Sequence, residues 1–372
     1  MSSSRPLNAL DQRLLRLQTP TRPWLIQYCV SPGPDAAAIE QGIQQLGQRW
    51  PELTSRLSTD AVAWTDPTGR LGGSAPWSLD TPLDLRQSAI HVDVSLDGTV
   101  ELLINHAFTD GLGGLAVVEE LLAAMRATAP RERGAVTDRH FEQLQDARAT
   151  DHLGAARTAA GVMLRPGRVC EVGGSSHVAD VQLQIDAIDR HRQGAWSLND
   201  VLVAAAHCAL AQVLPGTSPT RVSVPMDLRR HIGSPGGLGN AVVNATTRVA
   251  RKTASLRDAA HSVSEQIAHQ RTPERLRAQF DQALRVLPTG GPRMKDRRVQ
   301  RPLWRETAVC SNLGRVEHLG DVALTFSPPA HELLSIGLVG CGDNVTARLR
   351  GRVSPVLLKT IADAYEAILD QK

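Results

Sequence analysis

The sequence predicts an α+β protein of two lobes, each a mixed or antiparallel sheet with helices. Three observations carry that prediction. Short alternating apolar runs and longer segments of helical period occur in both halves of the chain. Several strands follow one another hairpin-fashion, as Ile90–Ser95 and Thr99–Ile104 do across Asp97-Gly98, rather than through helical crossovers. Between Thr128 and Ser176 the pattern loosens into charged, glycine-containing sequence, which suggests a connection between two halves. The expected division is an N-terminal lobe over 1–150, a crossover over 151–176 and a C-terminal lobe over 177–372. A chain of 372 residues is long enough for two such cores, and no short repeat period points to a solenoid or propeller.

Taken in order, Leu7, Leu10, Leu14 and Leu17 mark a short amphipathic segment, and Trp24–Val30 reads as a strand. From Asp35, residues Ile39, Ile43, Leu46 and Trp50 share one helical face until Pro51 ends the helix. Ala61–Thr65 is a short strand, followed by the hairpin. Leu115, Val118, Leu122 and Met125 stripe a helix over Leu112–Ala127. Val181, Leu183 and Ile185 alternate as a strand, and Ser197 and Asp200 have the spacing of a capping box that opens a helix to Leu214. His207, among alanines in that helix, reads as a satisfied core histidine. Strands Arg221–Met226 and Val242–Val249 flank a Gly/Pro-rich loop, and helices Ser255–Arg271 and Pro273–Leu287 follow. Strands Thr307–Ser311, Val322–Phe326, Leu333–Val339 and Val345–Arg350 precede a last helix capped by Ser354-Pro355.

Composition excludes several classes. With 41 basic and 38 acidic residues, the net charge of +3 is too small to imply a nucleic-acid partner. Cys29, Cys170, Cys208, Cys310 and Cys341 are far apart and contain no C-x-x-C, which predicts reduced thiols in a cytoplasmic protein. The first residues lack the apolar core of a signal peptide, and no run of 18 apolar residues predicts a membrane span. The twelve histidines contain no H-x-x-x-H or H-E-x-x-H pair, so no metal site is expected. No G-x-S-x-G suggests a serine hydrolase.

The chemistry-bearing stretch is Asn105-His106-Ala107-Phe108-Thr109-Asp110-Gly111, where a strand gives way to a helix. Loops on such a junction are held by rigid elements and often carry function. On the residues alone, His106 could equally pack the turn, with Asp110 as a helix cap and Gly111 as a turn glycine.

Four further segments decide between these readings. Ile39–Leu57 (IEQGIQQLGQRWPELTSRL), Ser197–Leu202 (SLNDVL), Val224–Arg229 (VPMDLR) with Leu238-Gly239-Asn240, and Cys310–Arg315 (CSNLGR) stand in a fixed order around the histidine. With it, over roughly residues 7–350, they resemble the chloramphenicol acetyltransferase-like superfamily, which includes nonribosomal-peptide condensation domains, wax ester synthase-like enzymes and polyketide-associated acyltransferases. The superfamily pattern is H-H-x-x-x-D-G, and this chain departs from it at Asn105. In that superfamily the second histidine of the pair carries the base function, so the resemblance implies that catalysis is compatible with Asn105, with altered hydrogen bonds in the loop. No D-F-G-W-G-like segment points to the plant branch.

The resemblance implies two related lobes forming a V-shaped cleft with an interlobe tunnel, and no bound cofactor or metal. It implies acyl transfer from coenzyme A or an acyl or peptidyl carrier protein to a hydroxyl or amine of a small metabolite, in secondary metabolism or lipid biosynthesis. His106 is then the general base. Asp110 makes a structural salt bridge with Arg229, or failing that Arg230, from the second lobe. Asn240 and Asn312 are expected near the cleft, where an amide could either donate to the oxyanion or satisfy buried backbone. The basic loop Pro288–Pro302, with Arg293, Lys295, Arg297, Arg298 and Arg301, could meet coenzyme A phosphates or a carrier's acidic face, or be solvated. The alternatives are a free-standing condensation enzyme, a member recruited to cyclisation or dehydration, and a silent partner-recruiting module.

Overall fold

The computed structural model describes residues 5–18, 24–31, 36–49, 53, 56–57, 63–65, 89–95, 98–125, 136–141, 144, 176–192, 194–216, 219–234, 238–253, 255–285, 307–316, 322–329 and 334–371. The expected crossover, apart from Ser176, and the basic loop Pro288–Pro302 lie outside them. In chain order the elements are β1 (Arg5–Pro6), α1 (Ala9–Leu17), β2 (Leu25–Ser31), α2 (Ala36–Arg49), β3 (Arg56–Leu57), β4 (Ala63–Thr65), β5 (Ile90–Val94) and β6 (Val100–Asn105). Then come α3 (Gly111–Met125), α4 (Asp138–Phe141), β7 (His177–Gln184), α5 (Ile185–Arg192), α6 (Leu198–Val213), β8 (Thr220–Asp227) and β9 (Val242–Val249). The remainder are α7 (Leu256–Gln270), α8 (Pro273–Arg285), β10 (Ala308–Arg315), β11 (Ala323–Ser327), β12 (Leu334–Cys341), β13 (Asn344–Gly351) and α9 (Pro355–Asp370). The fold is mixed α+β, as the alternating patterns predict.

The chain forms two compact units that are not contiguous in sequence. The first comprises Met1–Gln143, Leu228–Val242 and Val316–Pro329, and the second comprises Leu144–Asp227, Val243–Arg315 and Ala330–Lys372. Two segments of the expected C-terminal lobe therefore belong to the first unit. Strand pairing and buried hydrogen bonds at long sequence separation put them there, and periodicity does not register either.

In the first unit a four-stranded antiparallel sheet has the order β11-β2-β6-β5. Strands β2 and β6 lie in register through Leu25↔Asn105 and Ile26↔Ile104, and β11 pairs with β2 through Phe326↔Tyr28. Leu25, Ile26, Tyr28, Leu102, Leu103 and Ile104 are buried, so β6 ends at a fixed place and delivers the turn at His106. The hairpin is present, with Gly98 at φ 82°, a left-handed value that glycine adopts freely. Helix α3 is apolar nearly all round and buries Leu115, Val117, Val118, Leu121 and Leu122. Helix α2 approaches it at Gly42, where a Cβ would stand 2.3 Å from Met125 Cγ. A second, three-stranded sheet has the order β1-β4-β3.

The second unit is built on a six-stranded sheet of order β7-β13-β12-β10-β8-β9, parallel at β8-β10-β12 and antiparallel at β12-β13-β7. Helix α6 opens with the predicted Ser197–Asp200 capping box and is buried through Leu210. The Tyr365 hydroxyl of α9 donates to the Leu202 carbonyl at 3.2 Å. Ile185, expected in a strand, instead begins α5. Asp186 in the first turn and Arg190, His191 and Arg192 in the last complement the helix dipole there. Gln266 and Gln270 of α7 each bond both the N–H and the C=O of one residue of β9, Arg248 and Thr246 respectively, closing those edge groups as a neighbouring strand would.

Candidate active site

Three features of the first unit hold His106. Its backbone N–H donates to the Trp24 carbonyl at 2.7 Å, fixing it to the start of β2. Its ring lies 6.3 Å from that of Trp24, centroid to centroid. Its Nδ1 lies 3.1 Å from the Thr109 carbonyl oxygen. A carbonyl only accepts, so in neutral imidazole Nδ1 carries the hydrogen and Nε2 is the unprotonated nitrogen. Burial by the surrounding protein lowers the His106 pKa below the usual histidine value. The charge of Asp110, the nearby carbonyls and the Asn240 side chain partly oppose that shift.

Asp110 is bound at four donors. Its Oδ1 accepts from Gly113 N at 3.0 Å and Arg229 Nη2 at 2.8 Å, and its Oδ2 accepts from Arg229 Nη1 at 3.0 Å and Ala241 N at 2.8 Å. Asp110 and Arg229 are 1% and 2% exposed, so this is a buried, bidentate pair. The remaining contacts tie the same two segments together. Arg229 Nη2 donates to the Gly239 carbonyl at 2.8 Å, and Gly239 N donates to Thr109 Oγ1 at 3.2 Å. Asp110 thus ties the His106 turn, the start of α3 and the 228–242 segment together. No hydrogen bond joins it to the imidazole among the described residues.

A second brace comes from α1. Asn8 and Asp11 form a capping box at its start, and Asp11 Oδ1 accepts from both Asn240 N at 3.1 Å and Asn240 Nδ2 at 2.6 Å. Asn240 Nδ2 also reaches the carbonyls of His106 at 2.9 Å and Ala107 at 3.4 Å. Asn105 forms a reciprocal amide pair with Gln18, Nδ2 to Oε1 at 2.7 Å and Nε2 to Oδ1 at 2.9 Å, and its Oδ1 also caps Ala107 N.

Comparison by sequence alone finds no matching protein family and no matching curated protein. Comparison by structure finds many matches. The condensation domain of the Monacolin K polyketide synthase MokA superposes with a TM-score of 0.68 at 13% identity, covering 99% of this chain and 97% of that one. Polyketide synthase associated protein 5 from Mycobacterium tuberculosis gives 0.63 at 15% identity, over 99% of each chain. The starter condensation domain of rhizomide synthetase, solved as a mutant with C8-CoA and Leu-SNAC, gives 0.66 at 11% identity over 99% and 95%. This is the chloramphenicol acetyltransferase-like fold.

Within that fold, the predicted Asp110–Arg229 pair is present, and Arg229 is the partner. Asn240 takes the backbone role: three acceptors occupy its amide hydrogens, so none is left for an oxyanion. Asn312 belongs to the second unit, where its Nδ2 donates to Asn199 Oδ1 at 3.3 Å and its Oδ1 accepts from Gly314 N at 2.8 Å. Gly111 begins α3 and its carbonyl accepts the Tyr28 hydroxyl.

The crowded glycines are its neighbours. A Cβ on Gly113 would stand 1.9 Å from Thr109 Oγ1, and one on Gly114 would stand 2.6 Å from the Tyr28 hydroxyl oxygen. Thr109, Gly113, Gly114, Asn8 and Asp11 were not singled out from the sequence. Asn8 and Asp11 have capping spacing that could have been read, whereas Thr109 and Gly113 matter only through Gly239 and Arg229, which are remote in the chain.

The other candidates belong to the core. His207 bonds Thr220 Oγ1 at 2.7 Å and Thr247 Oγ1 at 2.9 Å, and burial lowers its pKa to about 3. Burial raises the thiols of Cys208 to about 11 and Cys310 to about 12, so neither is a ready nucleophile. Cys170 lies outside the described residues. The described residues contain no metal-binding cluster of His, Cys, Asp and Glu, and no helix long and apolar enough to cross a membrane.

Proposed function

We propose that this chain is an acyltransferase that moves an acyl group from a thioester to a hydroxyl or amine of a small metabolite, with His106 as general base. The observation that supports this reading most is the Nδ1–Thr109 contact, which leaves Nε2 as the basic nitrogen of a ring kept neutral by burial. Nε2 removes the proton of the attacking hydroxyl or amine as its oxygen or nitrogen bonds to the thioester carbonyl carbon. The tetrahedral intermediate then collapses with cleavage of the C–S bond, and the imidazolium returns the proton to the departing thiolate. General base catalysis of this kind supplies roughly 10²–10⁴-fold, and positioning of the two substrates supplies more.

Asp110 serves architecture here, because its lone pairs are taken by Arg229 and by backbone. The donor is coenzyme A or a carrier-bound thioester. The likeness to condensation domains favours, as a second reading, a condensation enzyme using carrier-bound substrates. A panel of acyl-coenzyme A and acyl-carrier donors, crossed with alcohol and amine acceptors and read by intact mass, separates the two. Transfer should fall by roughly 10²-fold or more in His106→Ala. A folded His106→Ala protein with full transfer activity would remove the assignment.

A further inference from the structure

Asn240 is fully buried, yet its Oδ1 has no hydrogen-bond partner among the described residues. Its amide cannot be turned to relieve this. Asp11 Oδ1, His106 O and Ala107 O, which surround Nδ2, are all acceptors and would face an oxygen if the group flipped. A buried polar atom left open in this way is costly unless the site uses it. The side chain lies against His106, gripping that residue's own carbonyl, and it favours the protonated form of the ring.

We infer that Asn240 is a positioning residue for His106: Asp11 fixes its amide so that Oδ1 is presented to the imidazole and steadies the imidazolium formed when the ring takes the substrate proton. This rests on His106 acting as the base. The resting ring has one N–H, already directed at Thr109, so the open oxygen is relevant to the charged state that forms during transfer. Asp11 acts through Asn240, holding both its N–H groups from the first turn of α1. The base is thereby coupled to a helix some hundred residues earlier in the chain.

The test is a nuclear magnetic resonance titration of His106 in wild type and in Asn240→Ser, which needs no substrate. The midpoint should fall by about one pKa unit in the variant, the size expected for losing one hydrogen bond to a charged ring. In an active assay, kcat on the pH plateau should fall while KM for the donor stays constant. An unchanged midpoint overturns the inference, even if His106→Ala is inactive. A lowered midpoint with full activity in His106→Ala instead overturns the general-base reading. If Asn240→Ser does not fold, the wild-type Asn240 side-chain amide resonances decide the matter. They should move with the His106 midpoint, and resonances that stay fixed through it contradict the inference.

Discussion

Replacing Asp110 with asparagine changes almost no volume and removes one charge from a pair 1% and 2% exposed. The carboxylate serves four donors through two oxygens, Gly113 N and Arg229 Nη2 on one, Arg229 Nη1 and Ala241 N on the other. An asparagine keeps one oxygen and turns an NH₂ group toward two of those donors. Arg229 is then left as a buried cation without its counter-charge. Breaking a buried pair from one side costs about 3–5 kcal/mol, which for a domain of this size lowers Tm by roughly 6–20 °C.

The assay is urea and thermal unfolding of Asp110→Asn, Arg229→Met and the double variant. The double variant should be less destabilised than the sum of the singles, because removing both charges leaves neither uncompensated. Transfer activity should fall with folding, since the turn carrying His106 is held by the same bonds. An Asp110→Asn protein within 1 kcal/mol of wild type, as a surface pair would give, refutes the assignment of Asp110 as the tie of this site.

Two further outcomes follow from the same structure. Gly113→Ala would gain about 1 kcal/mol at an ordinary helical position. Here its Cβ meets Thr109 Oγ1 at 1.9 Å and Arg229 Nη2 at 3.3 Å, so it should instead lose ~1–3 kcal/mol, measured as a lower urea midpoint. His207 has a folded pKa of about 3, below the unfolded histidine value, so the unfolded chain binds the extra proton and stability falls as pH drops below ~6.5. Between pH 7 and pH 5 that loss is about 2 kcal/mol, and His207→Gln should show a pH 7-to-5 drop in stability smaller than wild type by that amount when unfolding is followed at both pH values.

Local signals were legible in the sequence. Asp97-Gly98 predicted the β5–β6 hairpin, Ser197 and Asp200 predicted the start of α6, and the alanine setting of His207 predicted a core histidine. The His106–Gly111 turn was legible because one strand and one helix, both strongly patterned, bracket it. What was hidden is carried by contacts between remote residues. Arg229 was named as the partner of Asp110, but not the return of 228–242 to the first unit, which depends on Gly239 meeting Thr109 and Ala241 meeting Asp110 across some 130 positions. Gly113 looks like an ordinary helix glycine until that segment is in place. Ile185 extended an alternating run and so read as strand, because the charges that favour helix lie on its far side. Asn105, the departure from the superfamily pattern, proves well used: its amide pairs with Gln18 and caps Ala107.

Proton removal by His106 turns on the state of one ring at neutral pH. Nitrogen-15 resonance of labelled His106 at pH 7 reads it directly. A general base at His106 requires a neutral ring with the hydrogen on Nδ1, Nε2 bare and a titration midpoint below that of a free histidine. A ring protonated on Nε2 alone, or on both nitrogens at pH 7, would contradict it.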